Sequence, residues 1–92
     1  MKARLLVRIK EAYARGIIEG VVWEVPTPSR PSVHRIKYRL VYVVDGERVV
    51  GYDNERGKGD HKHVLATQTP YRFTDVPTLI RDFLQDIEEI EP

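Results

Sequence analysis

The sequence contains no cysteine, which excludes disulfide bonds and thiolate metal sites and makes a reducing cytoplasm the expected setting. It also lacks an apolar run of membrane-spanning length. The N-terminal segment MKARLLVRIK carries charges inside its apolar stretch, unlike the apolar core of a signal peptide. We therefore expect a cytoplasmic protein that does not act in a membrane.

The length of the chain limits the chemistry that it can support. Ninety-two residues are enough for one domain with a modest core, and too few for a cofactor domain beside a separate substrate domain. The sequence therefore predicts a single domain over residues 1–92, with no cofactor and with simple chemistry.

Charge is distributed unevenly along the chain, although the formal net charge is only +1. Residues 1–63 contain 13 Lys and Arg against 8 Asp and Glu, whereas residues 64–92 contain 2 against 6. The basic first part predicts an anionic ligand. The acidic last part is typical of either a partner surface or an ordinary solvated face.

Two segments near the N-terminus have strand-like patterns. Residues 3–13 fit both a strand and a helical stripe, and we favour a strand because Leu5, Val7 and Ile9 alternate. Residues 17–25, IIEGVVWEV, are dominated by β-branched side chains and predict a second strand. The proline-rich residues 26–33 then predict an exposed connection.

The strongest local signal is the segment RIKYRLVYVVDGERVVGYDN, which predicts a β-hairpin. Asp45-Gly46 favours a two-residue type I′ turn, so that Val44 faces Glu47. Counting outwards from that turn predicts four further pairs on the two strands: Tyr42 with Val49, Arg39 with Tyr52, Lys37 with Asn54 and Arg35 with Arg56. The open end of the hairpin would then present a basic face that leads into GKGDHKH.

The end of the chain completes the predicted fold. A short strand is expected over His63 to Ala66, and Thr74 or Asp75 is placed to cap a helix. That helix repeats apolar residues on one face: Leu79, Ile80, Phe83, Leu84, Ile87 and Ile90. The predicted class is α+β, with an antiparallel meander-like sheet of four to five strands and a C-terminal amphipathic helix packed on one face.

The segment GKGDHKH holds the candidate catalytic residues His61, His63 and Asp60. On an extended segment the two imidazoles share one side, and Asp60 and Lys62 lie on the other. The histidines suit proton transfer in RNA cleavage, although a structural turn remains open. A third alternative is a transition-metal site completed by His34 or Asp53, but His-x-His alone is a weak metal signature and we predict no metal. Gly57 and Gly59 permit close approach to a phosphate without matching a P-loop.

The basic end of the hairpin is the candidate nucleic-acid interface. Single-stranded RNA requires positive charge for its phosphates and an aromatic ring for base stacking. The predicted binding residues supply both: Arg35, Lys37, Arg39, Tyr52, Asn54, Arg56 and Lys58. The alternative is an ordinary solvated sheet face.

The same residues carry a resemblance to a known family. HRIKYRLVYVVDGERVVGYDNERGKGDHKH, followed by PYRF and LIRDFLQDI, resembles the TumE-like toxins of prokaryotic type II toxin–antitoxin modules. The resemblance extends over nearly the whole chain, including the segment from Trp23 to Pro28. It implies a growth-inhibiting protein encoded beside a helix-turn-helix antitoxin. The shared motif comprises Lys37, Tyr38, Arg39, Tyr52, Asp53, Asn54, Gly57, Lys58, Gly59, Asp60, His61 and His63.

Together these observations predict a toxin that cleaves RNA without a metal, with RNA and a cognate antitoxin as its partners. One alternative is a non-catalytic module that binds RNA or an acidic protein and inhibits by occupancy. Another is a metal-dependent nuclease built on the two histidines. The sequence leaves homo-oligomerisation open.

Overall fold

The structure, a computed structural model, describes residues 2–28, 30–54 and 57–91. In these ranges six strands form one antiparallel sheet in which each strand lies beside the next in the chain. The strands are β1 (Arg4–Tyr13), β2 (Gly16–Glu24), β3 (Ile36–Val44), β4 (Glu47–Asp53), β5 (His61–Val64) and β6 (Thr67–Pro70), and helix α1 (Val76–Ile90) follows. The α+β class and the meander are as predicted. No helix within the described ranges is long and apolar enough to cross a membrane.

The number of strands differs from the prediction of four to five. Where the sequence predicted one strand over His63 to Ala66, the chain forms the hairpin of β5 and β6. Leu65 adopts a positive φ of 56° in the turn between them. A sequence prediction misses β6 because TQTP has no apolar alternation and every one of its residues is exposed. At the N-terminus, residues 4–13 form the favoured strand.

The register of the central hairpin also differs from the prediction. Val44 pairs with Glu47 as expected, but Val43 pairs with Arg48 and Tyr42 pairs with Val50. Val49 is therefore the extra residue of a β-bulge, which shifts every later pair by one position. The predicted pair of Tyr42 with Val49 is wrong, because Tyr42 pairs with Val50.

Beyond the bulge, Leu40 pairs with Tyr52 and Arg39 pairs with Asp53, so the predicted pair of Arg39 with Tyr52 is also wrong. Lys37 does not pair with Asn54, since β4 ends at Asp53. The predicted pair of Arg35 with Arg56 falls on a residue outside the described ranges.

The core lies between α1 and one face of the sheet. Asp75 caps α1, because its Oδ1 accepts a hydrogen bond from the backbone N–H of Thr78 at 2.8 Å. The helix buries an apolar stripe, Leu79, Phe83 and Ile87, against sheet residues that include Leu40, Tyr42, Val50 and Tyr52. We call the covered side of the sheet the helix face and the opposite side the open face.

Candidate nucleic-acid interface

The open face is built from residues that lie side by side on neighbouring strands, since directly paired residues point to the same side of a sheet. One row across β1 to β5 consists of Arg8, Val21, Arg39, Asp53 and His61. The adjacent row consists of Lys10, Glu19, Val41, Gly51 and His63. Their neighbours along each strand, such as Val22, Leu40 and Tyr52, are buried on the helix face.

Positive charge dominates the open face. Its exposed cations come from three strands and comprise Arg8, Lys10, Lys37, Arg39 and Arg48. Two carboxylates lie among them, and both have partners: Glu19 forms an ion pair with Lys10 at 3.7 Å, and Asp53 contacts His61. Between Arg8 and Arg39 the apolar side chain of Val21 helps to line a shallow depression of about 320 Å³. The face therefore combines unneutralised charge with an apolar floor.

Trp23 provides the aromatic ring of this face. It pairs with Leu5 on one side and Lys37 on the other, and it is half-buried. Trp23, Lys37 and Arg39 line a second depression of about 320 Å³. Sequence reasoning overlooked Trp23 because its neighbour Lys37 lies across the proline-rich connection, whose length does not reveal the register of β2 against β3.

Tyr52 was expected to stack on a base, and the structure places it elsewhere. It is fully buried on the helix face, where its ring packs edge-on against Phe83 with centroids 5.8 Å apart. Its hydroxyl donates to the Asp86 carboxylate, and burial followed by that hydrogen bond raises the pKa of Tyr52 well above its usual range. The bulge at Val49 causes the difference, because it turns Tyr52 away from Arg39.

The remaining predicted binding residues divide between surface and interior. Lys37 and Arg39 lie on the open face, and Arg35 and Lys58 are exposed outside the strands. Asn54 is buried: its Oδ1 accepts from the backbone N–H of Tyr38 at 3.0 Å, and its Nδ2 donates to the carbonyl of Ile36 at 2.7 Å. Asn54 thus fixes the start of β3. Arg56 lies outside the described residues.

His61 is held at both ring nitrogens. Nδ1 lies 3.0 Å from the carbonyl oxygen of Gly59, and Nε2 lies 3.2 Å from Oδ1 of Asp53. The carbonyl oxygen of Gly59 is an acceptor, so Nδ1 of His61 donates to it, and the Asp53 carboxylate lies beside the other ring nitrogen. The side chain is also buried. The geometry therefore leaves His61 no ring nitrogen for a substrate.

His63 lies beside His61, with ring centroids 5.5 Å apart, in a different environment. It is half-buried, and the described residues offer its ring no hydrogen bond. Burial, followed by repulsion from Arg48 and His61, lowers the pKa of His63. The lowered pKa favours the uncharged imidazole at neutral pH, in which one ring nitrogen has a lone pair available to accept a proton.

Asp60 lies on the other side of the chain from the two histidines, as the alternation predicted. Its carboxylate accepts hydrogen bonds from Ser32 Oγ, from His34 Nε2 at 2.7 Å and from the Tyr38 hydroxyl at 2.7 Å. His34 in turn accepts the backbone N–H of Ile36 at Nδ1, and its ring stacks on Phe73 with centroids 4.1 Å apart. The structure therefore does not bring Asp60 together with His61 and His63.

Comparison with known proteins supplies the family. A family model described as toxin TumE matches residues 2–91. The chain belongs to this toxin family. The resemblance noted in the sequence is thereby confirmed. No curated protein and no solved structure matches the chain. A toxin family implies an antitoxin partner in general.

The motif residues that resemble those of TumE-like toxins occupy two regions of the structure. Lys37, Arg39, His61 and His63 belong to the open face. Tyr38, Tyr52 and Asn54 are buried, and Asp60 holds the segment before β3 against β5. The motif of this TumE member thus combines one exposed surface with the interior network behind it.

Metal ligation was one alternative for the histidines. Within the described ranges, no group of three His, Cys, Asp or Glu side chains could hold a metal ion. His34, a candidate third ligand, donates to Asp60. Asp53, the other candidate, contacts His61 directly at 3.2 Å. The arrangement as it stands suits hydrogen bonding and proton transfer.

Proposed function

We propose that this member of the toxin TumE family binds single-stranded RNA on its open face and cleaves it without a metal, with His63 as the general base. One observation carries the proposal. An uncovered, cation-rich sheet face leads across five strands to the imidazole of His63, whose pKa is lowered by burial and by nearby cations. This proposal differs from the sequence-based hypothesis in its residues: His63 alone moves the proton, Trp23 replaces Tyr52 as the stacking ring, and Asp60 has no part in the reaction.

The binding step uses charge and stacking. Lys37, Arg39 and Arg8 are exposed along the face and contact successive phosphates. Trp23 lies at the same end as Lys37 and stacks on one base, a contact that typically contributes about 1–3 kcal/mol. Because neither interaction reads base edges, binding is expected to tolerate many sequences.

The chemical step follows from the different environments of the two histidines. His63 takes the proton of a 2′-hydroxyl, and that oxygen attacks the adjacent phosphorus. The bond from phosphorus to the 5′-oxygen breaks, and the leaving oxygen takes a proton from water. The hydroxide formed from that water then takes the proton from His63, which returns the imidazole to its neutral form. The Arg and Lys side chains near His63 stabilise the negative charge that develops on the phosphoryl oxygens.

A cleavage assay on total RNA with and without chelator tests this function. We expect cleavage that withstands chelator, leaves 2′,3′-cyclic phosphate ends and disappears in His63→Ala. Cleavage that chelator abolishes and a transition ion restores would instead support the metal-dependent nuclease. The matched control is Arg81→Ala, which removes a cation on the exposed side of α1 and should cleave like the wild type.

A non-catalytic RNA-binding toxin is the second candidate, and one observation favours it. His61 has no ring nitrogen free to protonate a leaving group, and Asp60 lies on the other side of the chain, so neither side chain can act as general acid from its present position. Binding of uncleaved RNA by the wild type, with inhibition that persists in His63→Ala, would establish this alternative.

The proposed partner is a cognate helix-turn-helix antitoxin, which the toxin family makes a natural expectation. We propose that it neutralises the toxin by placing an acidic segment over the open face, since the same cations that attract phosphate attract carboxylates. Binding of antitoxin and RNA would then be mutually exclusive.

A further inference from the structure

A glycine in the middle of β4 creates space on the open face. Gly51 lies between Val41 on β3 and His63 on β5. A Cβ atom built on Gly51 would lie 2.7 Å from Cδ and 3.3 Å from Nε of Arg48. The Arg48 side chain therefore runs across the position that any other residue's side chain would occupy.

The β-bulge makes this arrangement geometrically possible. Residues three apart on a regular strand point to opposite faces, so Arg48 and Gly51 would normally be separated by the sheet. Because Val49 is an extra residue, Arg48 instead shares the open face with Gly51. The bulge that moves Tyr52 into the core thus also directs Arg48 towards β5.

The neighbourhood of Arg48 and His63 is short of negative charge. Arg48 forms no ion pair with any described carboxylate, and it contributes to the lowered pKa of His63. The other charged groups that act on His63 are His61, Lys58 and Asp53, and Asp53 is in contact with His61. An anion between Arg48 and His63 could therefore accept hydrogen bonds from both side chains. The one carboxylate that acts on His63, that of Asp53, is in contact with His61.

We propose that Arg48 and His63 form a phosphate-binding subsite above Gly51, which holds the reacting phosphodiester of a bound RNA strand. This inference rests on the proposed function and names the place on the open face where the reaction occurs. The planar guanidinium of Arg48 donates two hydrogen bonds to the non-bridging oxygens. His63 then lies next to the 2′-oxygen that attacks this phosphorus.

The subsite can be tested without cleavage by NMR titration with a 2′-O-methyl RNA oligonucleotide, which lacks the attacking hydroxyl. In the wild type we expect binding to shift the His63 ring signals and to raise the pKa of His63, because the phosphate offsets the charge of Arg48. Arg48→Ala should abolish that rise. Arg81→Ala, which also removes an exposed guanidinium, should keep it.

Gly51→Ala provides a more selective perturbation. The three atoms nearest to the new methyl group all belong to the flexible side chain of Arg48, so we expect the guanidinium to be displaced while the backbone keeps its place. Cleavage should fall about 100-fold in Arg48→Ala, the usual effect of removing one donor to a developing oxyanion, and by a comparable factor in Gly51→Ala. Arg48→Lys keeps the positive charge but cannot donate two parallel hydrogen bonds as a guanidinium does, so its cleavage rate should lie between those of Arg48→Ala and the wild type.

The outcomes separate the subsite from the wider function. RNA that is bound and cleaved equally well by wild type, Arg48→Ala and Gly51→Ala would overturn the subsite and leave the proposed function standing. Oligonucleotide binding without any change at His63 would also overturn the subsite. A wild-type protein that neither binds nor cleaves RNA would overturn both. If Gly51→Ala does not fold, Arg48→Ala still decides.

Discussion

His61 and His63 lie on the same face of β5 with their ring centroids 5.5 Å apart, yet only one of them has a free ring nitrogen. His61 is fixed between Gly59 and Asp53, whereas His63 has no hydrogen-bond partner among the described residues. Two histidines that look equivalent in the sequence thus have different environments. In the proposed function, only His63 therefore transfers a proton.

Substitution of the two histidines should therefore have different consequences. His61→Ala removes the buried hydrogen bond to the Gly59 carbonyl and the contact with the Asp53 carboxylate, and should lower the free energy of unfolding by about 2 kcal/mol. His63→Ala removes a ring without hydrogen bonds and should change stability far less while abolishing cleavage. Urea unfolding of both variants, together with an RNA cleavage assay, measures the difference. Equal losses of stability would contradict the environments described for the two rings.

The lowered pKa of His63 predicts how stability depends on pH. Burial and the positive neighbours Arg48, His61 and Lys58 disfavour its charged form in the folded protein, and Asp53 only partly opposes them. The unfolded chain, with an ordinary pKa of about 6.5, then binds the proton more readily. Stability is consequently complete above that pH and declines as the pH falls from about 6.5 towards the folded pKa.

Urea unfolding between neutral and mildly acidic pH tests this sign. The wild type should lose stability over that range, and His63→Gln should lose less, because glutamine does not titrate. The matched variant His34→Gln removes a histidine on the other side of the chain and leaves His63 in place. The stability of His34→Gln should therefore still fall with decreasing pH by the amount that His63 contributes. A His63→Gln variant with an undiminished decline would show that His63 is not the group responsible.

Much of the fold follows from local sequence patterns. The Asp45-Gly46 turn, the Asp75 cap and the apolar stripe of α1 all appear where the sequence predicts them. Each depends on contacts between residues that are close in the chain, such as the hydrogen bond from Thr78 to Asp75. Local physical chemistry is sufficient for features of this kind.

The candidate site was harder to predict, because it depends on register between distant residues. The adjacent Val49 and Val50 fit either face of a strand, so the sequence does not decide which of them is the extra residue, and counting pairs from the turn without a bulge places Tyr52 on the wrong face. The position of Trp23 beside Lys37 depends on how β2 aligns with β3 across the proline-rich connection. Both features are decided by packing against α1, since the register determines which side chains reach the core.

The basic face should make RNA binding steeply dependent on salt. Each phosphate contact with a single strand contributes about 0.7 to the slope of log K against log salt concentration. Replacing Lys37 and Arg39 together with Ala should therefore lower affinity and reduce the slope by about 1.4. Both side chains are exposed, so the unfolding curve should stay unchanged. Fluorescence anisotropy at several salt concentrations provides the measurement, and a slope equal to that of the wild type would remove this face from the binding site.

Trp23 should report directly on base stacking. It is the only tryptophan in the chain, so the intrinsic tryptophan fluorescence comes from the proposed stacking position. Binding of single-stranded RNA should quench that emission, and Trp23→Ala should weaken binding by about 1–3 kcal/mol. Tyr52→Phe is the matched aromatic control: it removes a buried hydroxyl and should lower stability without affecting affinity. RNA binding that leaves the fluorescence unchanged would argue against stacking on this ring.

The last prediction concerns the surface that the antitoxin covers. The open face is basic and the exposed side of α1 is acidic, so charge reversal on each surface distinguishes two docking positions. If an acidic segment of the antitoxin covers the open face, Arg8→Glu with Arg39→Glu should weaken its binding strongly, because two attractions become repulsions. Glu88→Lys with Glu89→Lys on α1 should have little effect. Antitoxin should also displace labelled RNA from the wild type in a competition assay. Loss of antitoxin binding in the α1 variant alone, with RNA still bound in the complex, would place the antitoxin on the helix and show that neutralisation does not occur by covering the RNA site.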